Sequence, residues 1–343
     1  MLDKLILQLV SCTDISNEDF EKLTNFDLRD DELASLMEKH KVQYLLFLHL
    51  LKHHGFYKIK YKVGEKWGIQ LCYLQNKYNE YINNLKIIIE YLNNNNIPYV
   101  ILKGFSIIDK LYKRENIIYR DFIDIDILIE RKNVSTVNEI LLKCGFIQGY
   151  VNEDNEIEEA DRKSKLSWSL FSHQEYEYIK FSNTGYISPF NRIYIDINTT
   201  IFEGGEYKPQ ISTEELINHT ITQEIGNGLF IKCLEYEYEI IQLCYHFYKD
   251  TIYEVKIKDQ ENFCMLKLCD IREYIIKYLF DINWNKFVDI INNAKIEVQI
   301  FNTLYTVRSV FGDLGIDYVM DKLKPSDSEI ITSTIDNEWY KKL

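Results

Sequence analysis

The sequence predicts an α+β fold in which a small mixed β-sheet is flanked by an N-terminal and a C-terminal helical subdomain. Three observations predict it. Apolar residues recur at helical spacing over residues 1–95 and again from Thr213 onward. Short apolar strands are confined to about residues 97–130 and 176–202. Acids interrupt those otherwise apolar strands on one face. The expected organisation is 1–95 helical, 96–205 as the core that carries the chemistry, and 206–343 helical. A length of 343 residues, 46% hydrophobic and 27% charged, suits a globular chain of two or three packed subdomains.

The N-terminal run Met1–Leu7 carries an early acid and no small-residue cleavage site, so a signal peptide is not expected. Asp31 to His54 places Leu33, Leu36, Met37, His40, Tyr44, Leu45 and Leu48 near helical spacing, with Gly55 as the stop. His40, His49, His53 and His54 invite a metal reading. Neighbours on a helix point about 100° apart and no carboxylate stands at matching spacing, so packing or surface roles are expected. From Trp67, the series Tyr78, Tyr81, Ile82, Leu85, Ile88, Ile89 and Leu92 keeps one apolar stripe, and Asn93–Asn96 ends it.

Pro98–Leu102 reads as a buried strand leading into Lys103-Gly104 and a helix over Phe105–Tyr112. A strand, a glycine turn and a helix start leave backbone N–H groups free for a phosphate, with Lys103 adding charge and Ser106 a hydroxyl. Then comes the stretch Ile123-Asp124-Ile125-Asp126-Ile127-Leu128-Ile129. Strand side chains alternate, so Asp124 and Asp126 share one face and the isoleucines take the other. Two close acids call for a cation, and Mg²⁺, which bridges protein carboxylates to substrate phosphates, matches the pair. A solvated edge strand is the alternative.

Asn133–Cys144 predicts an amphipathic helix stopped at Gly145, and the charged run Asn152–Lys165 predicts a solvated loop. Two strands follow, Tyr176–Phe181 and Arg192–Phe202, separated by turn signals at Asn183–Gly185 and Ser188–Asn191. This hairpin brings Asp196 alongside Asp124 in a mixed sheet, with His173 just before it as a candidate to reach an acceptor, or simply a loop histidine. Gly204-Gly205 closes the sheet region. Beyond it, helices are expected at 214–219, 234–248, 263–279, 284–293 and 296–310, and no chemistry is assigned to the tail.

A net charge of −13 with no basic cluster opposes non-specific DNA or RNA binding. It favours a small molecule or a protein as partner, ahead of a tRNA end. Seven scattered cysteines without C-x-x-C spacing point to reduced thiols in a cytoplasmic chain, and no apolar run is long enough for a bilayer.

The order Leu102-Lys103-Gly104, a helix ending near Tyr112, Arg120, Asp124-x-Asp126 and a later Asp196 resembles the nucleotidyltransferases of the DNA polymerase beta superfamily. Within it the likeness is greatest to the bacterial group labelled uncharacterised nucleotidyltransferase. The likeness implies that Asp124, Asp126 and Asp196 are catalytic metal ligands for Mg²⁺ or Mn²⁺ and that Lys103 and Gly104 hold an NTP. Ser106 joins that seat, and Arg120 either offsets phosphate charge or pairs with Asp121 or Asp124. Two departures stand out: Asp196-Ile197-Asn198-Thr199 replaces the group's D-x-H-W, and Lys103-Gly104 stands where classical superfamily members have Gly-Ser. His246 and Asp270-x-Arg272 fall where the group lines an acceptor pocket, or they pack, with Asp270 and Arg272 expected as an ion pair. The expected activity is metal-dependent transfer of an NMP from an NTP to a hydroxyl acceptor. The alternative is an inactive, antitoxin-like regulatory module on the same fold.

Overall fold

A computed structural model describes residues 8–25, 28, 31–182, 192–202, 211–226, 228–252 and 263–325. The expected turns at Asn183–Gly185 and Ser188–Asn191 and the Gly204-Gly205 pair lie outside the described residues. The chain forms two compact units. One takes in Met1–Cys72, Lys110–Asp121 and Ile240–Leu343, and the other Tyr73–Asp109 and Phe122–Glu239. This division crosses the three consecutive segments expected from sequence, because the long helix Tyr61–Asn94 contributes to both units and 110–121 returns to the first.

The second unit carries the mixed sheet. Its strands are β1 (Tyr99–Leu102), β4 (Asp124–Ile129), β5 (Ile147–Val151), β6 (Ile157–Glu159), β7 (Tyr178–Phe181) and β8 (Arg192–Asn198), in the spatial order β1-β4-β8-β7-β5-β6. The short strands β2 (Lys113–Arg114) and β3 (Ile117–Ile118) pair only with each other, in the first unit. The β4–β8 pair is parallel and the remaining sheet pairs are antiparallel. Ile125, Ile127 and Ile129 of β4 are fully buried, as the alternation requires, and Leu128 on the face of the aspartates is buried as well. Ile123 departs from it: it precedes the strand and is 51% exposed.

Aromatic rings close the core beneath the strands. Tyr81 and Phe105 meet Phe122 with centroids 5.1 and 5.0 Å away, both edge-on. The Tyr81 hydroxyl donates to the Ile123 carbonyl at 2.6 Å and accepts from the Tyr194 amide at 3.0 Å. One phenol thus ties the long helix to the start of both β4 and β8.

Two expectations fail in this unit. The charged run 152–165 is not loop throughout: Ile157–Glu159 pairs with β5, and a helix starts at Arg162, capped by Asp161 accepting from the Ser164 amide. A two-stranded sheet, β9 (Thr220–Ile225) with β10 (Leu229–Leu234), stands where only helix was expected. Its signal was present, since Gly226 and Gly228, with left-handed φ values of 58° and 86°, follow the β-branched run Thr220–Ile225 and precede the apolar run Leu229–Leu234.

The first unit is helical, with Asn17–Thr24, Asp31–Lys39, Gln43–Lys52, Met265–Tyr278, Trp284–Ala294, Glu297–Phe311 and Asp317–Leu323. The single helix expected over 31–54 breaks at Lys41, whose φ is 57°. His40 and His49 are buried packing residues, and loss of water holds both imidazoles down at about 4. All seven cysteines are free, and among the described residues no helix is long and apolar enough to cross a membrane.

Candidate active site

The three aspartates come together on the sheet. Asp126 and Asp196 are register partners on the parallel strands β4 and β8, and Asp124 sits two residues earlier on the same face as Asp126. Parallel register puts the two partner side chains side by side, so one sheet face presents a row of carboxyl groups. Leu102, the last residue of β1, pairs with Asp126 on its other side, which delivers Lys103 to the same place.

Lys103 Nζ donates to Asp126 Oδ1 at 2.7 Å, with Asp126 only 4% exposed. Asn198, two residues beyond Asp196 on the same face, donates from Nδ2 to the same oxygen at 3.1 Å. Gln174 Nε2 donates to Asp196 Oδ2 at 2.9 Å. Sequence reasoning assigned no role to Asn198 or Gln174. The period-2 spacing from Asp196 could have found the first; Gln174 arrives through an isolated bridge to Asn198 and has no local signal.

The electrostatics are unbalanced. Asp124 is held above the usual carboxylate range by burial and then by Asp126, against the pull of Lys103 and Lys77. Asp196 is pushed up to about 8 by burial, then Asp124 and Asp126. Glu177 joins them at about 7, by burial and then Asp124. Burial alone would lower the Lys103 ammonium, but Asp126, Asp124 and Asp196 raise it above its ordinary value. More negative charge is gathered here than Lys103 and Lys77 offset. Buried uncompensated charge is costly, and an arrangement that keeps it calls for a further cation.

The donors fit a hard divalent ion, being carboxylate oxygens on adjacent strands. As they stand, no three His, Cys, Asp or Glu groups among the described residues converge closely enough to hold a metal. Lys103 on one oxygen of Asp126 and Gln174 on one of Asp196 occupy part of that coordinating capacity.

The other residues expected at a nucleotide divide. Gly104 lies beside the centre, yet the left-handed backbone falls on Lys103, at φ 45°, and not on the glycine. A non-glycine residue held there is strained, which fits a side chain aimed by its surroundings. Ser106 does not offer its hydroxyl: it is fully buried, within 2.6 Å of the Lys103 carbonyl and of Glu239 Oε1. Three residues along the helix from Lys103, it turns inward instead of toward a phosphate. Arg120 belongs to the other compact unit, where Nε and Nη2 grip Asp270 at 2.9 and 2.6 Å and Nη1 donates to the Asp121 carbonyl. Its charge is consumed by an acid 150 residues away, so it is no free phosphate ligand. Asp270 and Arg272 are not partners of each other, since Arg272 pairs with Glu273. His173 is buried beside the end of β8, where its carbonyl accepts from the Thr199 amide at 2.9 Å.

A mixed sheet that lines up three aspartates next to a strained lysine gives this unit a buried acidic centre. The family described as uncharacterised nucleotidyltransferase matches residues 27–312, and the chain belongs to it. No curated protein and no solved structure matches the chain.

Proposed function

We propose that the chain is a metal-dependent nucleotidyltransferase that moves an NMP from an NTP to a hydroxyl on a small molecule or a protein. The reading rests above all on the register of Asp126 with Asp196, beside Asp124, in a family described as nucleotidyltransferases. Asp124, Asp126 and Asp196 would hold Mg²⁺, or Mn²⁺ in its place; when bound, such an ion offsets triphosphate charge and lowers the pKa of a coordinated hydroxyl.

The chain's own groups supply the rest. Asp196 would take the hydroxyl proton as the acceptor oxygen attacks the α-phosphorus. Lys103 exchanges Asp126 for a phosphate oxygen and steadies the departing pyrophosphate, which the backbone N–H groups from Gly104 onward also favour. Acceptor discrimination falls to groups around Asp196. The acidic surface argues for a non-nucleic-acid acceptor away from membranes.

A second reading has one observation behind it: Lys103 already stands on Asp126 in the manner of a bound cation. On that reading the chain is a nucleotide-binding regulatory module without turnover. Incubation of the purified chain with each α-labelled NTP, Mg²⁺ or Mn²⁺ and cell extract separates the two. Metal-dependent label transfer that disappears in the Asp124→Ala, Asp126→Ala variant supports transfer. Nucleotide binding without transfer supports the module, and transfer undiminished in that variant sinks the assignment of the aspartates.

A further inference from the structure

Asp196 also lines a cavity of about 200 Å³ within the sheet unit. Its walls are of two kinds. Tyr150, Trp168 and Tyr176 provide aromatic surface, while Glu175, Glu177 and Asp196 provide carboxyl groups, and among the described residues no basic side chain lines it. Trp168 and Tyr176 are packed edge to face, with centroids 5.7 Å apart, and the Tyr150 ring is fixed by its hydroxyl donating to Glu158 at 2.7 Å. Trp168 and Tyr150 are nevertheless 47% and 44% exposed, so this aromatic surface is open to a ligand. Among the described residues no cation pairs with Glu177.

These walls select by charge. Carboxyl groups and aromatic faces offer a phosphate no positive partner, so a triphosphate is directed to Lys103 instead. Aromatic faces attract an ammonium through the ring quadrupole, and unpaired carboxylates add to that attraction. A neutral ligand would use the rings and leave the acids unsatisfied.

We propose that this cavity is the acceptor subsite and takes a small hydroxylated organic cation, its ammonium against Trp168, Tyr176 and Glu177 and its hydroxyl at Asp196. Recognition of the cation follows from the cavity alone; the fate of the hydroxyl rests on the transfer reading above. In that step the acceptor oxygen bonds to the α-phosphorus while the bond from that phosphorus to the α–β bridging oxygen breaks. Pyrophosphate leaves with the electron pair, and the hydroxyl proton passes to the Asp196 carboxylate.

The test is calorimetric titration of the full chain with choline and with its uncharged isostere 3,3-dimethylbutan-1-ol. Choline is expected to bind at least about tenfold more tightly, and more weakly as salt is raised. Glu177→Gln and Trp168→Leu should each weaken choline about fivefold or more while Trp168→Phe retains it, with circular dichroism unchanged in all three and Mg–NTP binding unchanged in the two Trp168 variants. Equal affinity for the two alcohols, absence of choline binding, or folded Glu177→Gln and Trp168→Leu variants that bind choline normally would each overturn the proposal. Choline binding by a chain that transfers label from no NTP supports the cavity and overturns the transfer reading. Label transfer to an extract acceptor with no choline binding does the reverse.

Discussion

Lys103 with Asp126 and Arg120 with Asp270 are both buried cation–carboxylate pairs, at 2.7 and 2.6 Å, each in its own compact unit. Their surroundings separate them. The Arg120 guanidinium meets both oxygens of Asp270, its remaining nitrogen reaches a backbone carbonyl, and its face lies over the Tyr112 ring at 5.9 Å. Asp270 raises the guanidinium further against the effect of burial, and the pair is closed. Lys103 Nζ donates to Asp126 while Asp124 and Asp196 also act on it. A matched pair of charges holds a fold together; an outnumbered cation marks a place where another charge can come and go.

Breaking the closed pair should have the largest effect on stability. Arg120→Met leaves Asp270 buried without a partner, an expected cost of about 3–5 kcal/mol read from urea unfolding. Replacing both, as Arg120→Met with Asp270→Leu, should recover most of that loss because no bare charge remains. A single-variant loss below about 1 kcal/mol, the size of an exposed pair, would show that Arg120 is not the structural clamp described here.

The open pair should respond the other way. Asp126→Asn removes one of several repelling acids, so unfolding should change little. Nucleotidyl transfer should fall about 10²–10³-fold, since several kcal/mol of charge stabilisation are lost at 1.36 kcal/mol per tenfold. If Asp126→Asn unfolds the chain and Arg120→Met only slows it, the two pairs have been assigned the wrong way round.

The same contrast explains what the sequence could reveal. Strand alternation is local, so the shared face of Asp124 and Asp126 was legible, as was the mixed sheet that brings in Asp196. The stripe from Tyr78 to Leu92 was legible for the same reason, and all seven of its apolar positions are buried. Arg120 was ambiguous because its partner lies 150 residues away, beyond any spacing rule. Ser106 misled because helix spacing says which residues share a face but not which face meets the core. At Lys103-Gly104 the glycine suggested a turn, but the left-handed φ fell on the lysine, a choice set by tertiary constraint. Asn198 stood in plain view, two residues from Asp196, and was passed over because attention fell on a histidine that the sequence lacks.

A smaller effect tests whether the acidic cavity depends on its scaffold. Gly149 lies where β5 meets β6, and a Cβ there would come within 1.9 Å of the Glu158 carbonyl oxygen, a backbone atom that cannot step aside. Gly149→Ala should cost about 1–3 kcal/mol, as overpacking does, and should disturb the Asp196 cavity while leaving the helical unit's Arg120 clamp intact. Unchanged stability would mean that β5 and β6 separate easily.

The smallest effect is in pH, where the two units should pull in opposite directions. His40 and His49 ionise near 4 in the fold against 6.5 ordinarily, so the unfolded chain takes up their protons first and stability falls as pH drops from about 6.5 to 4. Asp196 and Glu177 are raised, to about 8 and 7, so the fold keeps protons that the unfolded chain releases. Their contribution is complete below about 4 and is lost as pH rises toward 8. Above pH 6.5 only the acids are still changing, and urea midpoints there should decline. Asp196→Asn should reduce that decline and adding Glu177→Gln should remove most of it; between about 4 and 6.5, where the acids oppose the histidines, the same two changes should steepen the acid limb and His49→Leu should flatten it. A midpoint that rises between pH 6.5 and 8 would mean that these acids are not crowded in the free protein, and the need for a cation beside Lys103 would lose its physical basis.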